Sequence, residues 1–160
     1  MNKGTLTLLC GKMAAGKSTY AQRLCDDHAV ICLSEDVWLA AHYPGQIHSF
    51  DDYLRYSAQI KPFIRQHVQA LLRAGINVVM DFPANTVRQR AWFVDLCAEV
   101  HCQHRLIYLE KSDQHCLQNL AKRRNEQPDR RQFDNEEVFH QVTRYFEPPT
   151  ASEGLNITVV

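Results

Sequence analysis

The sequence has 160 residues, with 18 Lys and Arg against 18 Asp and Glu, and 45% of its residues are apolar. A chain of this length fits one compact α/β domain, so we expect a single domain over residues 1–160 without a separate substrate lobe. The formal net charge of zero argues against a protein that binds nucleic acid or an anionic membrane by overall charge.

The cysteines and the apolar runs bear on where the protein works. The six cysteines lie mostly within apolar runs, and we expect no signal peptide ahead of them. No apolar stretch approaches the roughly 20 residues that cross a bilayer. We therefore expect a soluble cytoplasmic protein whose cysteines are reduced thiols.

Short apolar runs alternate with helical patterns along the whole chain. The predicted strands cover residues 5–10, 29–33, 76–80, 104–109 and 155–160. The predicted helices cover residues 17–25, 51–73, 86–100, 112–124 and 136–146, the second of which could kink at Pro62. Strands that alternate with helices imply βαβ units, so we expect a five-stranded parallel sheet with helices on both faces.

Residues 11–18, GKMAAGKS, match the pattern G-x-x-x-x-G-K-[ST] directly after a strand and directly before a helix. The two glycines let successive backbone N–H groups point inward, and the helix N-terminus adds partial positive charge where phosphates would lie. Lys17 would bridge the β- and γ-phosphates, and the Ser18 hydroxyl would ligate Mg²⁺. The predicted nucleotide-binding positions here are Gly11, Lys12, Met13, Ala14, Ala15, Gly16, Lys17, Ser18 and Thr19.

The choice between ATP and GTP rests on residues 110–113. Guanine is read by an [NT]-K-x-D loop after a strand, and this chain offers Glu-Lys-Ser-Asp there, with Glu in the first place. A strand end followed by a helix N-cap explains Ser112 and Asp113 without any base. We therefore predict ATP as the nucleotide.

The chain resembles the small P-loop kinases grouped with zeta toxins, chloramphenicol phosphotransferase and polynucleotide 5′-kinase. The resemblance rests on residues 11–18, the Ser-Glu-Asp triplet at 34–36, Asp81 after the third strand, and residues 120–125 before a polar segment. It implies a three-layer P-loop NTPase fold of the nucleoside-kinase type with strand order 2-3-1-4-5. It also implies an enzyme that uses ATP and Mg²⁺.

The resemblance assigns roles to two acidic residues. Asp36 matches the aspartate that orients or deprotonates the attacking hydroxyl, and Glu35 is the second candidate for this role. A carboxylate that takes the proton of the hydroxyl makes it a better nucleophile. Asp81 matches the residue that holds Mg²⁺ through water or binds substrate. A helix N-terminal residue at Asp36 and a turn cap at Asp81 are the competing structural interpretations.

A basic segment near residues 122–137 resembles the lid of such kinases. The family pattern places a catalytic arginine at Arg123, and Arg124 and Arg130 would contact the nucleotide, because planar guanidinium donors neutralise charge on a transferring phosphoryl group. A helix C-terminus also attracts cations, which is the competing explanation. Residues 146–154 are where such kinases usually hold adenine. One of Arg88 and Arg90 could point into the acceptor cleft, but we expect both to be solvated helix residues.

The predicted function is transfer of the ATP γ-phosphate to a hydroxyl of a small molecule or nucleotide. One alternative is a polynucleotide 5′-hydroxyl kinase, although residues 24–54 contain six acids and no Lys or Arg, which does not suit a nucleic-acid groove. Another is a regulatory or toxin-like nucleotide-binding protein with little turnover. The sequence leaves the acceptor and the oligomeric state open.

Overall fold

A five-stranded parallel sheet forms the centre of the protein, in a computed structural model that describes residues 2–27, 29–130 and 134–160. Its strands are β1 (Thr5–Cys10), β2 (Val30–Ser34), β3 (Asn77–Asp81), β4 (Gln103–Tyr108) and β5 (Ile157–Val159). The order across the sheet is β2-β3-β1-β4-β5, and every pair is parallel. The predicted fold class and strand order are confirmed.

The apolar run of the first strand explains its central place. Residues 6–10 of β1 are all buried, and β1 pairs with β3 on one side and β4 on the other. A strand buried on both faces reads as a continuous apolar run rather than an alternating one. The edge strand β2 is less buried, and Ile31 is 43% exposed.

Six α-helices surround the sheet in the part of the chain that the structure describes. They are α1 (Lys17–Cys25), α2 (Glu35–His42), α3 (Phe50–Arg73), α4 (Val87–Glu99), α5 (Asp113–Glu126) and α6 (Glu136–Thr143). Five begin at side-chain caps that the sequence carries: Ser34 before α2, Ser49 before α3, Thr86 before α4, Ser112 before α5 and Asn135 before α6. Helix α3 continues through Pro62.

Helix α2 is a separate element that the sequence analysis did not predict. It is only eight residues long, and the Ser34 hydroxyl caps it by accepting a hydrogen bond from the Val37 N–H. Short helices show too few turns for their periodicity to be recognised. Its consequence for the site is large, because Glu35 and Asp36 form its first turn.

Two apolar clusters cover the two faces of the sheet. The larger packs α3 and α4 against one face, with Ile64, Val68 and Leu96 fully buried. The smaller packs α1, α5 and α6 against the other face, around Phe139 and Leu120. Burial on both faces leaves the carboxyl ends of the strands as the place where polar residues gather.

The prediction of reduced thiols is wrong for two of the six cysteines. Cys25, at the end of α1, and Cys32, on the edge strand β2, form a disulfide with Cα atoms 5.9 Å apart. That separation lies within the range a disulfide spans. The sequence could not show it, because only the packing of α1 beside β2 brings these positions together.

Among the described residues, no helix combines the length and the apolarity that a bilayer-spanning segment requires.

Candidate functional site

The loop between β1 and α1 lies at the carboxyl end of the sheet. Gly16, the residue directly before α1, has φ +100°, so a side chain there would be strained. Ala14 also has a positive φ, of 61°. We call residues 11–18 the phosphate loop; it leads directly into the N-terminus of α1, and the N-terminus of a helix favours anions.

A cavity of about 720 Å³ lies against the phosphate loop. Six predicted nucleotide-binding residues line it: Ala14, Ala15, Gly16, Lys17, Ser18 and Thr19. Helix α5 contributes Asn119, Lys122 and Arg123 to the lining, and Val160 also lines the cavity. Gly11, Lys12 and Met13 are not among the described residues that line it. This cavity, which we call the nucleotide cavity, has the size of a small-molecule site.

Lys12 and Asp113 lie beside the phosphate loop and contact each other. The Lys12 ammonium donates to Asp113 Oδ1 at 2.7 Å, and this bond raises the pKa of Lys12. Ser112 caps α5, since its hydroxyl accepts from the His115 N–H. Ser112 and Asp113, which end the segment that resembles a guanine-reading loop, therefore both have structural partners.

Lys17, Ser18 and Asp81 form the polar centre of the site. The Ser18 hydroxyl donates to Asp81 Oδ2 at 3.3 Å. Burial raises the pKa of Asp81, while the Ser18 hydrogen bond and the Lys17 charge oppose that shift. Burial also lowers the pKa of Lys17, against the nearby negative groups that include Asp81 and Asp36. A hydroxyl and a carboxylate oxygen side by side suit Mg²⁺, which prefers oxygen ligands and keeps several waters.

Asp36 lies at the same end of the sheet, in the first turn of α2. It is exposed, and its negative charge adds to the upward shift of the Asp81 pKa and partly opposes the lowering of the Lys17 pKa by burial. Three residues that are distant in sequence are thus brought within electrostatic range of each other. The structure gives Asp36 this location; the role of a base stays a prediction.

Glu35 points the other way and is 2% exposed. Tyr53 donates its hydroxyl to Glu35 Oε1, and Ser57 donates to Oε2 at 2.8 Å. Burial, followed by the charge of Glu35, raises the pKa of Tyr53. Glu35 therefore joins α2 to α3, and Asp36 is the carboxylate of this pair that remains at the surface.

A second, narrow cavity of about 50 Å³ adjoins these acidic residues. We call it the acceptor-side cavity, and it is lined by Glu35, Tyr53, Leu54, Ser57, Lys61, Phe82, Pro83, Gln89, Trp92 and Phe93. Glu35 directly precedes Asp36, and Phe82 directly follows Asp81. Asp36 and Asp81 themselves are not among the described residues that line it, and four of its ten lining residues are aromatic.

The predicted lid arginines differ in what the structure places around them. Arg123 lines the nucleotide cavity and makes a two-pronged ion pair with Asp134, at 2.7 and 2.8 Å. Arg124 is half-buried near the end of α5, and the described lining of the nucleotide cavity does not include it. The backbone of Arg130 ends a short 3₁₀ turn, Pro128–Arg130, but its side chain and residues 131–133 lie outside the described part of the chain. The lid and its bounds stay a prediction.

Two residues near the site were misjudged or missed in the sequence. Arg90 was expected to be solvated, but it is fully buried and pairs with Glu153 at 2.8 Å; Arg88 is exposed as expected. Asn119 drew no attention, yet its side-chain amide donates to the Ala14 carbonyl of the phosphate loop at 3.0 Å. Neither contact leaves a signal in local periodicity, since the partners are 63 and 105 residues away.

The segment expected to hold adenine makes other contacts. Phe146 stacks on Tyr108 with ring centroids 6.2 Å apart, and Glu153 is the partner of Arg90. Of the C-terminal segment from residue 146, Val160 is the described residue that lines the nucleotide cavity. Side chains of α5 thus contribute more of the described cavity lining than the C-terminal segment does.

Comparison with known proteins gives one family and several similar folds. A family model described as AAA domain (AAA_33) matches residues 6–149. A search of curated protein sequences finds no match.

Three solved structures illustrate the similarity of fold. A candidate kinase from Chloroflexus aurantiacus aligns over 100% of this chain and 86% of its own, at TM-score 0.74 and 20% identity. Kti12 from Chaetomium thermophilum, in complex with ADP-AlF3, aligns over 97% and 88%, at TM-score 0.65 and 13% identity. The Mycobacterium tuberculosis APS kinase CysC, in complex with AMPPNP and APS, aligns over 94% and 86%, at TM-score 0.59 and 15% identity. At these identities the likeness is one of fold, and it confirms the resemblance to small P-loop kinases.

Proposed function

Because the chain belongs to the AAA domain family, we propose that it is an ATP-dependent phosphotransferase that moves the γ-phosphate of ATP to a hydroxyl of a small molecule or nucleotide. The observation that carries the proposal is the meeting of three groups at one end of the sheet. The phosphate loop with Lys17, the Ser18–Asp81 pair and the exposed Asp36 lie within electrostatic range of one another. Phosphoryl transfer needs these parts together, since its catalysis is mostly positioning and charge stabilisation.

The nucleotide would bind with its phosphates on the phosphate loop and its remaining part against α5. The N-terminus of α1 suits the phosphates, and the nucleotide cavity continues from there to Asn119 and Lys122. The bound AMPPNP of CysC and the ADP-AlF3 of Kti12, both of similar fold, support a nucleotide here.

The residues of this chain would divide the chemistry between them. Asp36 would accept the proton of the attacking hydroxyl as its oxygen bonds to the γ-phosphorus and the bond to the bridging oxygen of ADP breaks. Lys17 would hold the β- and γ-phosphates, and Arg123 would neutralise charge on the transferring group. Mg²⁺, held by Ser18 and Asp81, would supply further charge neutralisation on the phosphates.

The acceptor would enter from the acceptor-side cavity. That cavity is lined by Glu35 and Phe82, the chain neighbours of Asp36 and Asp81, and we infer that the acceptor hydroxyl would reach the two carboxylates from this side. Its volume of about 50 Å³ admits a few water molecules or one small functional group. We infer that it takes only one end of the acceptor, which suits a small molecule in the cytoplasm better than a nucleic-acid strand.

The test is γ-labelled ATP with Mg²⁺ and a panel of sugars, nucleosides, amino alcohols and a 5′-hydroxyl oligonucleotide. We expect label in one small-molecule product with the wild-type protein and none with Lys17→Ala. Label in the oligonucleotide alone would instead favour the polynucleotide kinase. Nucleotide binding without any labelled product across the panel would contradict the phosphotransferase and favour a regulatory protein.

A further inference from the structure

The loop that follows β3 contacts the first residue of the phosphate loop. Asn85 Oδ1 accepts a hydrogen bond from the Gly11 N–H at 3.2 Å. Gly11 is buried, and a Cβ atom there would lie 3.1 Å from the Leu109 carbonyl oxygen and 3.2 Å from the Ala15 Cβ. Because the surroundings are this crowded, the Asn85 amide is the group that satisfies this N–H.

Asn85 is itself fixed from two sides. Its N–H donates to Gln89 Oε1 at 2.8 Å, and its carbonyl accepts from the Glu147 N–H at 2.8 Å. The preceding carbonyl, of Ala84, accepts from Arg90 Nη1 at 3.0 Å. The amide oxygen that faces Gly11 therefore has a defined position rather than that of a loose loop.

Gln89 connects this arrangement to the other half of the site. Its side chain lines the acceptor-side cavity, and it is not among the described residues that line the nucleotide cavity. A chain of two hydrogen bonds, from Gln89 through Asn85 to Gly11, thus runs from one cavity to the phosphate loop of the other.

We propose that Asn85 is a positioning residue of the phosphate loop and that Gln89 links it to the acceptor-side cavity. The proposal rests on the proposed function in one respect, namely that the phosphate loop binds a nucleotide. A buried N–H without an acceptor is unfavourable, so without Asn85 the start of the loop would shift to find another partner. The N–H groups that follow would then lose part of their prearrangement for phosphates.

The chain provides a matched control at the opposite end of the same strand. Asn77 Oδ1 accepts from the Thr5 N–H at 2.9 Å, where β1 begins. Asn77→Ala and Asn85→Ala therefore each remove one amide acceptor from the backbone of β1 or its immediate continuation. Only Asn85→Ala lies beside the phosphate loop, whereas the Asn77 bond is exposed at the start of β1, so Asn77→Ala tests whether the loss of any amide acceptor along β1 weakens nucleotide binding.

The experiment measures the Kd of Mg²⁺-AMPPNP by calorimetry, together with Tm and the exchange rate of the Gly11 amide. We expect Asn85→Ala to weaken binding about tenfold and Gln89→Leu about threefold, the order expected for an unsatisfied buried donor. Gly11 should exchange faster in Asn85→Ala. Asn77→Ala should bind AMPPNP as the wild type does, even where its Tm falls, and Asn85→Asp, which retains an oxygen acceptor, should keep the protection of Gly11.

Two results would overturn the positioning role. One is an unchanged Kd in Asn85→Ala, and the other is an equal loss of affinity in Asn77→Ala. Should Asn85→Ala fail to fold, the Kd of Gln89→Leu is compared with that of Asn77→Ala instead, and the same two results would overturn the role. A wild-type protein that shows this pattern of binding but phosphorylates no hydroxyl would contradict the proposed function and leave the role of Asn85 standing.

Discussion

The ion pair between Arg90 and Glu153 should be a major source of stability. It joins α4 to the segment before β5 through two contacts, Nε to Oε1 at 2.8 Å and Nη2 to Oε2 at 3.2 Å. The Arg90 side chain is fully buried, and that of Glu153 is 10% exposed. Removing one partner of such a pair leaves an uncompensated buried charge, at a cost of about 3–5 kcal/mol.

The perturbation is Glu153→Gln, which retains the shape and one oxygen acceptor. We expect a loss near the lower limit, about 3 kcal/mol in the free energy of unfolding. In a domain of this size that corresponds to a fall in Tm of about 6–12 °C. Urea unfolding followed by far-UV circular dichroism measures it, and the m-value should stay unchanged because the surface exposed on unfolding is the same.

The pH dependence has a definite sign. Burial raises the pKa of Glu153, but hydrogen bonds from Arg90 and Thr150 outweigh it, so the net shift is downward. A carboxyl whose pKa is lower in the folded state stabilises the protein above its unfolded pKa, about 4.3 for Glu. The difference between wild type and Glu153→Gln should therefore be full at neutral pH and shrink as the pH falls through the folded pKa.

The control is Glu99→Gln, which breaks the pair between Arg65 and Glu99. There the side-chain exposures are 22% and 59%, and exposed pairs contribute little. We expect a clearly smaller loss than for Glu153→Gln. Equal and small losses of unfolding free energy in both variants would show that burial of the Arg90–Glu153 pair does not increase its contribution to stability.

Three further predictions concern the site and the disulfide. Lys17→Ala should abolish AMPPNP binding in calorimetry, whereas Lys12→Ala, which loses a contact to Asp113, should weaken it far less; equal effects would contradict the separate placement of the two lysines. Burial raises the pKa of Asp81, so its ionised form lowers the stability of the folded protein at neutral pH. Asp81→Asn should therefore raise Tm at pH 7 and weaken Mg²⁺-dependent AMPPNP binding. A lower Tm in this variant would contradict the expected effect on stability. Reducing the Cys25–Cys32 disulfide should lower the free energy of unfolding by about 2 kcal/mol, measured by urea unfolding with and without dithiothreitol. Dithiothreitol should have no such effect on a variant that carries both Cys25→Ser and Cys32→Ser. Alkylation of all six cysteines without reductant would show that the bond is absent.

The phosphate loop and the sheet could be predicted because their signals are local. Residues 11–18 carry their pattern in eight consecutive positions, and β1 is a continuous apolar run. The strand order followed from the resemblance that this loop supports, and the sheet has that order.

The remaining features depend on contacts between distant residues. Arg90 stands in a helix that also carries exposed charge, and nothing near it indicates that Glu153, 63 residues later, covers it. Glu35 and Asp36 are adjacent acids, and only the packing of α2 on α3 turns the first inward to Tyr53 and leaves the second exposed. The acceptor-side cavity likewise exists only because α3 and α4 meet beside Phe82.

Asp36, in the proposed function, takes part in phosphoryl transfer and not in nucleotide binding. The measurement is a pair of assays on Asp36→Asn: transfer of the labelled γ-phosphate to the acceptor found in the panel, and the Kd of Mg²⁺-AMPPNP. We expect transfer to fall by about 100-fold or more, the order that general-base catalysis contributes, with the Kd within about twofold of the wild type. Transfer at the wild-type rate would contradict the assignment of Asp36 as the base.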